Sequence, residues 1–316
     1  MYPVVLGSPP VAPPVPVRQW QGMSITWTGS DGSVWDLTDP DGGVVLVRDG
    51  VEGLHFPRIE KHTTRSRAFP GHRLRGWQTN ARDVLWKVYI WADGTNAWLD
   101  RITRFFATIH PENEGIWSVQ VGDRPARTLR LTGVFDEPHS YDRDPTLRGW
   151  QVYSIALEAA QPYWQGERVR RGPWESPTPV GFIPEGGGPE FGISSSANFA
   201  TAAIPNLGDV DAYGIWWVRD ALSQIELGVG DTLIRPTFDL IEGQMLRIDT
   251  DPRNPTAQLG PAVDDTDDFV GDDVTRQLGL QDYARIPPGA SVPLHVAAVG
   301  AGAVMFDLTP LHFRAF

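Results

Sequence analysis

Alternation of apolar and polar positions over short runs sets the character of this chain. SITWTG at 24–29, SVWDLT at 33–38 and VVLVRDG at 44–50 are β-rich runs separated by Gly and Asp turns, and they predict hairpins. Between 93 and 115 the period changes. Trp98, Ile102, Phe105, Phe106 and Ile109 fall on one helical face, with Asn96 or Thr95 placed to cap the start and Pro111 to end the helix. Strand patterns resume at 116–121, 127–135 and 150–158. Beyond GERVRRGPWESPTP at 166–179 and the glycine run Gly186 to Gly188, alternation returns at Ile225, Leu227 and Val229, at Leu246 and Ile248, and at Val292, Leu294 and Val296. No segment there sustains a helical period. The pattern predicts a mainly β chain. An N-terminal β-sandwich-like domain over 1–165 carries one α-helix and a β-hairpin extension, 166–195 is a linker, and 196–316 is a second β-sandwich whose last strand, about 303–314, packs back onto it.

Composition supports this picture. The 316 residues suffice for two separate cores, and 33 glycines with 28 prolines suit short strands joined by many turns. The absence of cysteine excludes disulfides, thiolate metal sites and cysteine nucleophiles. The net charge of −12 is unevenly spread: residues 1–165 carry 17 basic and 18 acidic side chains, 166–195 carry 3 and 4, and 196–316 carry 7 and 17. Such an acidic C-terminal part repels a nucleic-acid backbone. The opening MYPVVLGSPPVAPPVPV has no basic start and breaks its apolar run with prolines. It reads as an extended arm, free or wrapped on a neighbouring subunit, and resembles neither a signal peptide nor a spanning helix.

Three constellations are candidates for function. Trp216 and Trp217 are consecutive on a strand and so point to opposite faces; one is expected in the core and the other exposed, as a glycan or partner contact. Asp264, Asp265, Asp267, Asp268, Asp272 and Asp273 lack the spacing of an EF-hand and read as a solvated, self-repelling, mobile loop, with a hard cation as the other reading. Arg58, Lys61, Arg65, Arg67, Arg73 and Arg75, with His62 and His72, face only Glu60 within 58–75 and predict an exposed basic hairpin. That hairpin is an ordinary solvated one, a dock for another protein, or a nucleic-acid contact. No nucleophile elbow, zinc-binding helix, P-loop or dinucleotide fingerprint is present. Asp249 and Asp251 share a strand face, but two carboxylates become catalytic only in a cleft that raises a pKa. No cofactor and no enzymatic activity are expected.

The order of several short motifs resembles a known family. GVEGLHFP at 50–57, the single helix near 96–110 and AAQPYWQG at 159–166 are similar to the N-terminal part of the distal tail proteins of long non-contractile-tailed bacteriophages. Asn206-Leu-Gly-Asp209, Gly243 followed by Ile248-Asp249-Thr250, and Pro287-Pro288-Gly289 resemble their second domain. The resemblance implies a structural virion protein, assembled in the host cytoplasm and located at the tail tip. Its partners would be other copies of itself in a ring of about six, the tail tube protein, the tape measure protein and the tail hub, with no membrane contact. The C-terminal domain would be galectin-like, the basic hairpin would reach between subunits, and DNA would pass through the bore. The alternative is a carbohydrate-binding module that recognises host cell-wall glycans through the C-terminal sandwich.

Overall fold

The computed structural model describes residues 20–67, 70–135, 144, 146, 148–175, 202–264 and 266–316. The proline-rich arm, Gly186 to Gly188 and Asp265 lie outside the described residues. The chain forms two compact units, one of residues 1–166 with 312–316 and one of residues 167–311.

The first unit contains β1 (Met23–Thr28), β2 (Val34–Asp36), β3 (Val44–Val51), β4 (Ile59–Thr64), β5 (Arg73–Thr79), β6 (Arg82–Trp91), α1 (Thr95–Ala107), β7 (Gly115–Val121), β8 (Arg127–Val134), β9 (Trp150–Ala159) and β10 (Trp164–Gln165). The antiparallel order is β2-β1-β7-β8-β9-β6-β3. β8 turns the corner of this sheet: Arg127 to Leu131 pair with β7, and Thr132 to Val134 pair with β9. The two halves thereby face each other across one core, as in a sandwich. Period-two alternation on β6 sends Val84, Trp86, Val88 and Ile90 inward, and β9 pairs with it over its whole length, from Arg82↔Ala159 to Trp91↔Trp150. Trp27, Trp86, Trp117 and Trp164 form a chain of ring contacts at 5.2, 5.4 and 4.8 Å through this core. Gly115 makes room for it, because a Cβ there would fall 2.2 Å from the Trp27 ring.

Helix α1 follows its apolar stripe, burying Trp98 and Phe105 with Ile102 and Phe106 packed against the same core. Its ends differ from expectation. Gly94, at φ 92°, is the N-cap and no side chain caps the helix; Thr95 donates to Thr146 O instead (2.9 Å). The helix stops at Ala107, before Pro111, where the Thr108 hydroxyl bonds back to Phe105 O (2.7 Å) and receives Trp27 Nε1–H (2.8 Å).

The second unit contains β11 (Val169–Glu175), β12 (Ala203–Pro205), β13 (Gly214–Arg219), β14 (Leu222–Val229), β15 (Ile234–Arg235), β16 (Gln244–Asp249), β17 (Thr256–Pro261), β18 (Asp272–Asp273), β19 (Leu280–Gln281), β20 (Ser291–Gly300) and β21 (Ala303–Leu308). Sheets β11-β21-β13-β16-β17-β18 and β12-β20-β14-β15-β19 enclose a core that includes Trp216, Val218, Leu227, Ile248, Leu294 and Phe306. Two sequence expectations need correction here. Residues 169–175, read as linker, form an edge strand because they pair with β21, from Val169↔Leu308 to Glu175↔Ala303. The terminal run read as one strand over 303–314 divides: 303–308 belong to this sandwich, whereas 312–316 return to the first unit.

Candidate assembly interface

β4 and β5 pair only with each other, and every residue of β4 is exposed. The basic hairpin therefore exists, and it runs on to Thr79. An isolated strand pair is marginal in water, so its base must be held. Asn80 N–H donates to Arg58 O (3.1 Å) and Tyr163 Oη lies 2.8 Å from Thr79 Oγ1. Phe313 packs against Phe56, Trp77 and Tyr163 at ring separations of 5.7, 6.4 and 5.7 Å.

Deeper in the base lies a residue that sequence reasoning missed. Arg82 is 1% exposed, and its guanidinium donates to four backbone carbonyls: Pro162 O (2.6 Å), Gly53 O (2.6 Å), His55 O and Phe313 O (2.8 Å). Two of the motifs that carry the family resemblance, 50–57 and 159–166, are thus tied together by one cation. Burial pulls its pKa down to about 10, still well above neutrality, so the charge persists. The sequence did hold a signal, since Arg82 shares the inward phase of Val84, Trp86, Val88 and Ile90.

The outer hairpin is amphipathic. Directly opposed residues share a face, and the register Ile59↔Thr79, Lys61↔Trp77, Thr63↔Leu74 puts Ile59, Leu74 and Trp77 on one side. Leu74 is 52% exposed and Trp77 49%. Glu60↔Gln78, His62↔Gly76 and Thr64↔Arg73 form the other side, and a register shift after His62 accommodates Arg75, whose Nε donates to Thr64 Oγ1 (3.1 Å). The structure brings Arg58, Lys61, Arg65, Arg67, Arg73 and Arg75 together on this projection, all exposed. None has an ion-pair partner among the described residues. Exposed apolar surface rimmed by uncompensated charge is the mark of a contact surface.

The tryptophan expectation is overturned. Trp216 is fully buried in the sandwich core, 4.5 Å from the Phe306 ring. Trp217 does point to the opposite face, yet it is only 4% exposed: Met245, Met305, Ala262, Val263 and Phe269 cover it. A polar network secures that cover. The buried Asp307 receives Arg170 Nε and Nη2 at 2.7 Å each and Trp217 Nε1–H at 3.0 Å, while Arg170 Nη2 also reaches Thr266 Oγ1 (2.7 Å) and Arg168 pairs with Asp267 (2.6 Å). No indole face is left for a sugar at this pair.

The same contacts correct the picture of a self-repelling mobile loop. Asp267 has a cationic partner, and Asp272 and Asp273 pair with Leu259 and Gln258 of β17. Hydrogen bonds from the Thr275 hydroxyl and N–H hold the Asp273 carboxyl below its usual range. Among the described residues no group of three or more His, Asp or Glu is placed to hold a metal ion. Asp249 and Asp251 are taken up separately, by Arg247 (2.6 Å) and Arg253. Burial raises the Asp251 pKa, but bonds from Arg253 outweigh it and hold the carboxyl below the ordinary range, opposite to what a general acid needs. No described helix is long and apolar enough to cross a membrane.

No protein-family model and no curated protein matches the sequence. Solved structures do. The SPP1 Dit (gp 19.1) protein, described as a paradigm of the hub adsorption apparatus in phages infecting Gram-positive hosts, aligns over 92% of this chain and 99% of its own with a TM-score of 0.58 at 14% identity. The chain has the Dit fold. Chains of the phage P2 baseplate in its activated conformation agree: the Ca form gives a TM-score of 0.56 at 13% identity over 92% of this chain and 98% of that one, and the Sr form 0.55 at 13% over 90% and 97%. Correspondence over nearly the full length covers both units, so the Dit fold here includes the second sandwich as well as the hairpin-bearing first unit.

Proposed function

We propose that this protein is a structural adaptor at the tip of a phage tail, forming a ring of about six copies that joins the tail tube to the baseplate hub and receptor-binding components. The observation that carries this reading is the shared fold, which spans 92% of this chain and 99% of the Dit chain. The exposed amphipathic hairpin supports it, because a closed ring needs one patch that meets a different patch on the next copy. Arg58, Lys61, Arg65, Arg67, Arg73 and Arg75 form that subunit-interface patch, and the second unit is a galectin-like sandwich. The tail tube protein, tape measure protein and hub are the further partners, the site of action is the virion tail tip, and assembly takes place in the host cytoplasm. With 17 acidic and 7 basic side chains over 196–316, the protein offers exiting DNA little to bind.

Light scattering or native mass spectrometry of the purified protein, with negative-stain images of the same sample, tests this. A ring of about six copies is expected; a monomer that binds neither itself nor tail components would remove the adaptor reading. Glycan recognition has no observation in its favour, since Trp216 and Trp217 are both buried.

A further inference from the structure

A ring built from unlike patches leaves the partner of the hairpin to be found. The outward face of the β3, β6, β9 and β8 region has the matching character. Opposite the core-facing positions, Leu85 and Ala156 pair across β6 and β9, Val134 pairs with Ala156 from β8, and Val152 lies two rows further on, 40% exposed. One end of this half-exposed apolar strip carries three exposed carboxylates. Asp83 and Glu158 stand directly opposite each other, and Glu52, whose N–H donates to Leu85 O (2.9 Å), extends the row from β3. Like charges directly opposed on a sheet repel. None of the three forms an ion pair among the described residues. On β6 the next basic side chain on that face is Lys87, four residues along, about 13 Å away.

We infer that this face, with Leu85, Val134 and Ala156 at its centre and Glu52, Asp83 and Glu158 at its rim, receives the β4–β5 hairpin of a second copy. The inference rests on the ring reading and names its other half. Apolar stripe meets apolar strip, Ile59, Leu74 and Trp77 against Leu85 and its neighbours. The tip cations Arg65, Arg67 and Arg73 meet the carboxylate row. The hairpin tip lies about 20 Å along the strands from its own base, so it is better placed for a neighbour's carboxylates than for its own. A nucleic-acid occupant is disfavoured by the same carboxylates.

Charge reversal tests this in the full-length chain. An acceptor variant carries Asp83→Lys and Glu158→Lys; a hairpin variant carries Arg65→Glu, Arg67→Glu and Arg73→Glu. All five side chains are exposed, and circular dichroism checks that both variants fold. By light scattering at low salt, each variant alone should associate at least about tenfold more weakly than wild type. An equimolar mixture should recover association, because each hairpin then finds a rim of opposite sign, and so should the chain carrying all five changes. Wild-type-like assembly of the acceptor variant, or no recovery in either the mixture or the combined chain, overturns the inference and leaves the ring intact. A wild type that stays monomeric overturns the ring and the inference together.

Discussion

Replacing Arg82 by Met should destabilise the first unit by about 4 kcal/mol. The guanidinium donates to four carbonyls, of which Pro162 O is reached by a fully buried bond and Gly53 O, His55 O and Phe313 O by part-buried ones. Charge-assisted bonds at up to about 3 kcal/mol each would give a gross loss of about 12 kcal/mol. Two effects reduce it. The three part-buried carbonyls can turn to water, and the substitution removes the cost of keeping a cation out of water, so the net falls to the range of about 3–5 kcal/mol typical of removing one member of a buried charged set. For a unit of this size, 4 kcal/mol corresponds to a drop in melting temperature of about 8–16 °C. The assay is differential scanning calorimetry on the whole protein. Two compact units make a single two-state transition a poor description, so the expected result is a shift of one component while the other stays in place. Arg82→Lys should fall between, because an ammonium cannot span four acceptors arranged for a planar fork. If Arg82→Met melted within about 3 °C of wild type, the clamp would be decorative and the reasoning wrong.

In the second unit, Asp307→Asn keeps shape but breaks the bidentate pair with Arg170, and should cost about 3 kcal/mol on urea unfolding, with Trp217 emission shifting to the red as its cover loosens. Gly214→Ala should cost at least about 2 kcal/mol on the same urea axis, since the new Cβ would lie 2.0 Å from the Phe306 ring on the facing strand. Isothermal titration of wild-type protein with host-wall polysaccharide should give no heat attributable to the Trp216–Trp217 pair; saturable binding lost in Trp217→Ala but retained in Asp307→Asn would contradict the buried assignment of that indole.

How much of this was legible beforehand follows the range of the interactions. Strands read at 24–29, 44–50, 127–135 and 150–158 appear at Met23–Thr28, Val44–Val51, Arg127–Val134 and Trp150–Ala159, because alternation is a local record of which face is buried. The basic hairpin was visible for the same reason: charges on both faces of a strand pair leave no buried side. Where the partner is distant, reading failed. Val169–Glu175 looked like a linker because its partner strand lies more than 120 residues further along, at Ala303–Leu308. Trp217 looked available because the aspartates drew attention to the acidic character of 264–273, whereas Ala262, Val263 and Phe269 around them supply its cover. Asp267 looked repelled because Arg168, its counter-charge, comes from a segment 99 residues earlier. Arg82 is the instructive miss: its inward parity on β6 was in plain sight, but an arginine at a core position signals a clamp only if buried cations are looked for.

The order of the chain gives the clamp a further consequence. The second unit, 167–311, is made after the strands of the first and before residues 312–316, which complete it. Those last residues supply the Phe313 carbonyl to Arg82, the Phe313 ring to the aromatic group under the hairpin, the Ala315 N–H to Leu54 O (2.8 Å) and the Arg314 carbonyl to Arg127 Nη1 (2.9 Å). An emerging chain can therefore form the first sandwich early, but the base of the β4–β5 hairpin lacks a quarter of its clamp and its central aromatic until residue 313 arrives. On the assembly reading, the element that joins one copy to the next is the one part of the first unit whose footing depends on the end of the polypeptide. A truncated chain would then present a loosely held hairpin and compete weakly for a place in the ring, so selection for complete subunits follows from topology without any separate checking device.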